Sequence, residues 1–197
     1  MYKMSEVKKI GITGGIGVGK SYVSNILRKM NYPVYNSDVI AKELLENDPN
    51  LMALIKNNFG DEIYSDNKIN KALVASIIFS NDDLLKKFNS IVHPYVFKDF
   101  KKWCENQQSE IIFKEAAILF ESNAVKDLDS IICVIASKDV RIKRIISRDN
   151  KTVDEIEKIM SNQIDQQKKE GLSDYVIKND GDTSILLQLD KILADLK

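Results

Sequence analysis

The sequence predicts an α/β fold in which five short parallel strands form one sheet, with helices on both faces. Two observations lead to this fold class. Most of the strand-like segments are continuous apolar runs rather than alternating ones, as in parallel strands that are buried on both faces. Helical stretches separate these segments along the chain, which is the order expected for a parallel sheet.

The five predicted strands are residues 10–13, 33–36, 110–115, 130–136 and 175–177. A complete phosphate-loop pattern, Gly14-x4-Gly19-Lys20-Ser21, follows the first strand and precedes the helical run that begins at Tyr22. Its glycines allow backbone N–H groups to turn towards phosphate oxygens, and the next helix directs its positive end at the same place. We therefore expect Lys20 to contact the β- and γ-phosphates of a nucleotide and Ser21 to hold Mg²⁺.

The connection between the second and third strands is far too long for a simple crossover, and its patterns are helical. Asp48 and Pro49 have the residue types of a helix N-cap and first turn, and Gly60 closes that stretch. A helix break is expected at His93-Pro94, because a residue before proline disfavours the helical conformation. The other helical runs of this connection are predicted over residues 71–79, 82–92 and 94–106.

A second excursion, residues 138–171, follows the fourth strand and is polar. Arg141, Arg144 and Arg148 are spaced over two turns of a helix there, so that Arg144 and Arg148 share a face. Arginine suits phosphate because of its planar fork and its permanent charge, although a solvated helix face is the alternative. The predicted organisation is a nucleotide-binding core (1–40, 109–137 and 172–197), a helical substrate-binding insertion (41–108) and a lid (138–171).

Composition limits the classes of partner. Basic and acidic residues number 29 each, so no net field draws the chain to nucleic acid or to a membrane surface. No apolar run approaches the ~20 residues that span a bilayer. Cys104 and Cys133 lack the spacing of a metal site and are expected to be reduced thiols, which favours a cytoplasmic location. We expect a monomer that acts on small molecules.

The phosphate loop by itself does not distinguish a kinase, a GTPase and a motor ATPase. A GTPase would carry Asn-Lys-x-Asp, but both Asn-Lys pairs are followed at the required position by other residues, Asn70 and Val153. A small chain with a helical insertion and an arginine-rich excursion favours a small-molecule kinase that closes around its substrates. The alternatives are a regulatory or assembly protein and a kinase for nucleosides or nucleotides.

Asp38 follows the second strand at the edge of the sheet where ligands of open α/β folds bind. It is placed to meet an acceptor hydroxyl or a metal ion. Capping the helix that begins near Val39 is an equally good interpretation. The only histidine, His93, cannot form a metal site alone, so a structural hydrogen bond at the helix junction and a substrate contact stay open for it.

Several segments, in chain order and over nearly the whole chain, resemble motifs of the dephospho-CoA kinase family. Residues 13–21 are similar to that family's phosphate loop, and residues 36–41 resemble its Asp-Ala-Asp-x-Ile-Ala motif. Residues 91–94 resemble its histidine–proline motif, and residues 115–121 resemble its Asp-x-Pro-Leu-Leu-Phe-Glu motif. Its lid pattern is resembled by Arg144, Arg148-Asp149 and Gln163. Residues 174–181 resemble its terminal Asn-Asp-Gly motif.

The resemblance implies transfer of the γ-phosphoryl group of ATP to the ribose 3′-hydroxyl of 3′-dephospho-CoA, which gives coenzyme A and ADP with Mg²⁺ as cofactor. The implied catalytic residues are Asp38, as the base, with Lys20, Arg144 and Arg148. The implied ATP-binding residues are Gly14, Gly15, Ile16, Gly17, Val18, Gly19, Lys20, Ser21, Tyr22 and Asn179. The implied substrate contacts are Asp38, His93 and Glu115, and the implied metal ligand is Ser21.

Four positions depart from the family's pattern. Asn36 replaces its first aspartate, Glu115 replaces its Walker-B-like aspartate, and Ala117 replaces a proline. Arg141 stands where a glutamine is common in the lid helix. The first three departures concern the Mg²⁺ shell, and the last concerns the contacts with adenine.

Overall fold

The computed structural model describes residues 7–65, 68–78, 81–122 and 124–197. The chain divides into two compact units, one formed by Met1–Tyr35 and Gln107–Lys197 and the other by Asn36–Asn106. In the described residues, none of the helices combines the length and the apolar character that crossing a membrane requires.

The described residues form nine α-helices and seven strands. In order they are β1 (Lys8–Thr13), α1 (Lys20–Lys29), β2 (Val34–Asn36), α2 (Ser37–Asn47), α3 (Pro49–Phe59), β3 (Tyr64–Ser65), β4 (Lys68–Ile69), α4 (Lys71–Ile78), α5 (Asp82–Glu105), β5 (Ile111–Glu115), β6 (Ser130–Ile135), α6 (Lys138–Asp149), α7 (Val153–Ser161), α8 (Gln166–Gly171), β7 (Tyr175–Lys178) and α9 (Ile185–Asp195). Short 3₁₀ turns occur at Asp61–Ile63 and Ala124–Asp127.

The first unit is built on the five-stranded sheet, whose strand order is β2-β5-β1-β6-β7. Strand β1 lies in the middle and pairs in parallel with β5 and β6, so that Ile10 stands between Phe113 and Ser130. The predicted fold class and all five predicted strands are thus confirmed, with ends that differ by one or two residues. The central position of β1 puts the loop that follows it in the middle of the carboxyl edge.

The apolar core of this unit joins β1 to the helix that follows the phosphate loop. Alternate residues of β1, Ile10 and Ile12, have no exposed surface and pack with Val23 and Leu27 of α1. Val23 and Leu27 are four residues apart and therefore share one helix face. Helix α9 adds Leu189 to the same cluster. This packing fixes α1, and with it the end of the phosphate loop, against the sheet.

The second unit contains helices α2 to α5 and a small antiparallel pair, β3 with β4, which the sequence analysis did not predict. Two-residue strands are too short to give a periodic signal. Asp48 caps α3 as predicted, because its Oδ1 accepts from the N–H groups of Asn50 (2.9 Å) and Leu51 (3.0 Å). The predicted helix over 71–79 corresponds to α4, although its last residue lies outside the described residues.

The predicted helix break at His93-Pro94 is wrong, because α5 runs through Pro94 without interruption. Phe88, Val92, Val96 and Phe100 recur every fourth residue and are buried along one side of this helix. Proline inside a helix removes one hydrogen bond and costs about 3 kcal/mol. Burying four large apolar side chains gives more than that, at roughly 1.5–3 kcal/mol each, so packing overrides the local preference.

Candidate active site

The phosphate loop spans the six residues between the end of β1 and the start of α1. Gly19 has φ = 95°, a left-handed conformation that glycine adopts without penalty. The side-chain amide of Asn179 packs so closely on Gly19 that a Cβ atom there would overlap it. Helix α1 has no side-chain cap, and its positive end faces the phosphate loop.

Lys20 folds back across the loop. Its Nζ donates to the carbonyl oxygens of Gly14 (2.9 Å) and Gly15 (3.1 Å), which are the first two residues of the motif. The ammonium group therefore lies at the mouth of the loop, where a phosphate would meet it. That Lys20 contacts the β- and γ-phosphates of a nucleotide, as the motif predicts, stays a prediction.

Ser21 and Glu115 form the second feature of the site. The Ser21 hydroxyl donates a 3.0 Å hydrogen bond to Oε1 of Glu115. Glu115 is the last residue of β5, which pairs with β1, and its side chain is buried. The two side chains supply a hydroxyl and a carboxylate oxygen, which are the ligand types that Mg²⁺ prefers.

The donor set also suits Mg²⁺ in a second respect. Within the described residues, no group of three or more His, Cys, Asp or Glu residues could hold a metal ion by itself. Mg²⁺ is usually bound through one or two protein oxygens together with substrate phosphates and water. Ser21 and Glu115 fit that pattern, because they supply one hydroxyl and one carboxylate.

A pocket of about 230 Å³ opens beside the loop. It is lined by Gly17, Gly19, Lys20, Ser21, Arg144, Ile145 and Arg148. Three of these residues are cationic and two are glycines that expose backbone. A pocket of this charge attracts a polyphosphate.

The two predicted lid arginines have different partners. Arg144 donates through Nη1 to the carbonyl of Val18 (3.3 Å) and through Nη2 to the carbonyl of Asn179 (2.9 Å). Arg148 makes two 2.8 Å hydrogen bonds to the carboxylate of Asp149, which raise the pKa of Arg148. Arg144 is thus bonded to the phosphate loop. Arg148 also lines the pocket, but its guanidinium is paired with Asp149 of the same helix.

Asn179 follows β7 and contacts the phosphate loop. Its Nδ2 donates to the carbonyl of Val18 at 2.8 Å, and the residue is buried. This explains an asparagine at the end of the last strand: its amide holds a loop carbonyl and accepts from Arg144. Tyr22, which the sequence analysis also assigned to the nucleotide, is the third residue of α1 and has a largely exposed side chain.

Asp38 and His93 belong to the other compact unit. Asp38 is the second residue of α2 and is exposed. The cap of that helix is Asn36, whose Oδ1 accepts from the N–H groups of Asp38 (3.1 Å) and Val39 (3.0 Å). The capping role that was an alternative for Asp38 is therefore filled by Asn36. His93 lies inside α5 rather than at a helix junction, with its ring 6.3 Å from that of Phe97.

Two side chains of the lid segment contact the loop in a way that the sequence analysis missed. Arg141 donates through Nε to the carbonyl of Ile16 (2.8 Å), and Oε1 of Gln163 accepts from the N–H of the same residue (2.9 Å). Burial lowers the pKa of Arg141, and the carboxylate of Asp165 opposes this. The available signal was spacing, since Arg141 precedes Arg144 by three residues and shares its helix face.

A phosphate loop after the central strand of a parallel sheet, a cationic pocket beside it and a serine–glutamate pair define a P-loop kinase. A model of the dephospho-CoA kinase family matches residues 8–184. The chain belongs to the dephospho-CoA kinase family. The reaction of this family transfers the γ-phosphoryl group of ATP to an alcohol, the ribose 3′-hydroxyl of dephospho-CoA.

A curated relative and two solved structures resemble the chain over nearly its whole length. A dephospho-CoA kinase from Bacteroides fragilis strain YCH46 is 38% identical over 190 residues, which cover 95% of this chain and 92% of that protein. The solved structure of TT1252 from Thermus thermophilus has a TM-score of 0.86 at 27% identity and covers 98% of this chain and 99% of its own. A dephospho-CoA kinase from Campylobacter jejuni, with a TM-score of 0.66, 23% identity and coverage of 95% and 96%, shares the fold.

Proposed function

We propose that this chain makes coenzyme A from ATP and dephospho-CoA with the residues described above. The single observation that supports this best is the cationic pocket formed by the phosphate loop, Lys20 and Arg144 beside the Ser21–Glu115 pair. The transition state of phosphoryl transfer is loose in most analyses, so catalysis depends mainly on positioning and on charge stabilisation. A preorganised cationic loop supplies both.

The donor side of the reaction is assigned to the loop. Its backbone N–H groups and the start of α1 bind the phosphates of ATP, and Lys20 neutralises charge on the transferring group. Arg144 is already fixed by the carbonyls of Val18 and Asn179, so its charge faces the pocket without reorganisation. Arg148 adds a second charge when it leaves Asp149.

Ser21 and Glu115 are proposed to hold Mg²⁺. When bound, the ion would neutralise negative charge on the phosphates of ATP. Glu115 is buried at the end of β5, where its carboxylate is oriented by the hydroxyl of Ser21. These contacts keep both oxygens in place for the ion.

The acceptor side is assigned to Asp38 as general base. Asn36 is the cap of α2, and Asp38 lies in the first turn of that helix with an exposed side chain. A carboxylate with an ordinary pKa suffices, because the acceptor hydroxyl becomes acidic only as the new P–O bond forms. The proton of the 3′-hydroxyl passes to Asp38 as the γ-phosphoryl group leaves ADP.

The remaining assignments concern whole segments. Residues 41–108, with His93, are proposed to bind dephospho-CoA, and residues 138–171 are proposed to act as a lid that excludes water. The enzyme is proposed to act as a cytoplasmic monomer. Sedimentation at micromolar concentration tests the oligomeric state, since a dimer would double the measured mass.

One assay tests the function directly. ADP formation is followed with ATP and Mg²⁺ in the presence of dephospho-CoA, of a panel of nucleosides and nucleotides, or of no acceptor. We expect rapid turnover only with dephospho-CoA, and a product that carries its new phosphate on the 3′-oxygen by ³¹P NMR. Faster turnover of a nucleoside would identify a nucleoside kinase, and equal turnover without an acceptor would identify a nucleotide-driven regulatory protein.

A further inference from the structure

Ile16 is the third residue of the phosphate loop, and both polar groups of its backbone are bound by the lid segment. Gln163 accepts from its N–H at 2.9 Å, and Arg141 donates to its carbonyl at 2.8 Å. The guanidinium also lies directly over Gly15, since a Cβ atom there would be only 2.5 Å from Nη2 of Arg141. Two different parts of the segment, α6 and the connection between α7 and α8, thus hold one residue of the loop.

The side chain of Gln163 is presented from a well-anchored position. Its neighbour Ile164 donates its N–H to Oε1 of Glu121 at 3.3 Å. The same carboxylate oxygen pairs at 2.9 Å with Lys169 of α8, whose side chain is completely buried and also donates to the carbonyl of Ala117. The chain that follows Gln163 is therefore attached at two points to the segment after β5, which restricts the position of Gln163 beside the loop.

These contacts bear on the geometry of the phosphate site. Lys20 bridges the carbonyls of Gly14 and Gly15, and Arg144 holds the carbonyl of Val18. Between these two supports, Ile16 is held by Arg141 and Gln163. A loop that binds phosphate through its backbone works only if successive peptide groups keep their orientation.

We propose that Arg141 and Gln163 are positioning residues that fix the Ile16 peptide and thereby set the phosphate-binding geometry of the loop. This proposal deepens the proposed function, because it rests on the loop as the ATP site. It also gives a role to the chain's departure at Arg141. The arginine reaches a loop carbonyl as a donor, which complements the acceptor that Gln163 offers on the other side.

The test is a double-mutant cycle of Gln163→Ala and Arg141→Gln, read out by the affinity for ADP and by hydrogen exchange of the Ile16 amide. Each single variant should weaken ADP binding about five- to tenfold, the loss of one or two modest hydrogen bonds. The Ile16 amide should exchange about tenfold faster in Gln163→Ala. Either change releases the same peptide. The double variant should therefore bind ADP less than twofold more weakly than whichever single variant has the lower affinity for ADP.

Two exposed neighbours give matched controls. Asn162→Ala removes an amide side chain next to Gln163, and Lys143→Gln removes a positive charge from the helix of Arg141. Both should bind ADP within twofold of the parent. The KM for dephospho-CoA and the midpoint of thermal unfolding should stay unchanged in all variants, because the acceptor and the core do not depend on Ile16.

Several outcomes would overturn the proposal: single variants within twofold of the parent, losses that multiply in the double variant, or an Ile16 amide whose exchange is unchanged. If Gln163→Ala does not fold, Arg141→Gln alone must still weaken ADP binding at least threefold, and a smaller effect refutes the pair. Failure of the proposed function is distinguishable, because it would show as absent dephospho-CoA turnover in the parent.

Discussion

Ser21 donates a 3.0 Å hydrogen bond to Glu115, which is 94 residues away in sequence. Ser21 is the second residue of α1 and Glu115 is the last residue of β5, so the contact exists only because β5 pairs with β1. A glutamate at this position still reaches the serine of the phosphate loop. The pair therefore keeps a hydroxyl and a carboxylate together where Mg²⁺ is proposed to bind.

Glu115→Gln keeps the shape of the side chain and removes its charge. We expect the Mg²⁺ concentration for half-maximal activity to rise at least about 10–100-fold, because altering even the groups that orient metal ligands has an effect of this size. Titration of turnover with Mg²⁺ measures this shift, with exposed Glu110→Gln as the control. An unchanged Mg²⁺ dependence would show that Glu115 has no part in metal binding.

Lys20→Ala removes the ammonium group at the mouth of the loop. We expect turnover to fall by about 10²–10³, the typical cost of one preorganised electrostatic donor. Steady-state kinetics at saturating ATP measure the loss, and circular dichroism checks that the fold is kept. Exposed Lys29→Ala at the other end of α1 should behave as the parent. A Lys20 variant within threefold of the parent would refute the assignment.

Asp38→Asn keeps the size of the side chain and removes the proposed base. We expect kcat to fall by about 10²–10⁴, the range of general acid–base catalysis, with little change in the affinity for dephospho-CoA. Single-turnover kinetics and equilibrium binding separate the two quantities. Glu43→Gln, an exposed carboxylate on the same helix, is the matched control. Full kcat in Asp38→Asn would exclude the base role.

Pro94→Ala tests the cost of a proline inside α5. The variant restores a backbone N–H donor and removes the clash of the proline ring with the carbonyl of the preceding helical turn. The unfolded chain gains conformational freedom, which opposes this in part. We expect a net increase of about 1–2 kcal/mol in the free energy of unfolding, or roughly 2–8 °C in the unfolding midpoint by calorimetry. Pro49→Ala is the control, because Pro49 occupies the first turn of α3, where proline is favourable. A lower midpoint for Pro94→Ala would mean that the helix depends on its proline.

Cys133 should be unreactive in the native protein. Burial raises the pKa of its thiol to about 11, and its side chain has no exposed surface. The raised pKa means that at pH 8 only about one thiol in a thousand is a thiolate, the reactive form. Alkylation followed by peptide mass spectrometry should label Cys104 first and Cys133 only in urea. Equal labelling rates without urea would contradict this.

Local patterns in the sequence determined the strands, the phosphate loop and the cap of α3. These features depend on short runs of residues, such as the apolar segment before Gly14 or Asp48 before Pro49. The family assignment followed for the same reason, because its motifs are short and keep their order. The break expected at Pro94 failed because the local rule ignores the apolar face of α5, which buries Phe88 and Phe100.

Only the tertiary structure decided which side chains meet the loop. Gln163 binds the Ile16 amide across 147 residues, and Asn179 binds Val18 across 161. Such contacts depend on strand order and on how far each segment folds back, and neither quantity is encoded in a local pattern. The cap of α2 also depended on the folded backbone. Asn36 and Asp38 both have suitable side chains for a cap, but Asn36 has the extended backbone conformation of an N-cap and caps the helix. The residue types thus predicted the chemistry of the site. Long-range packing determined which residues support the phosphate loop.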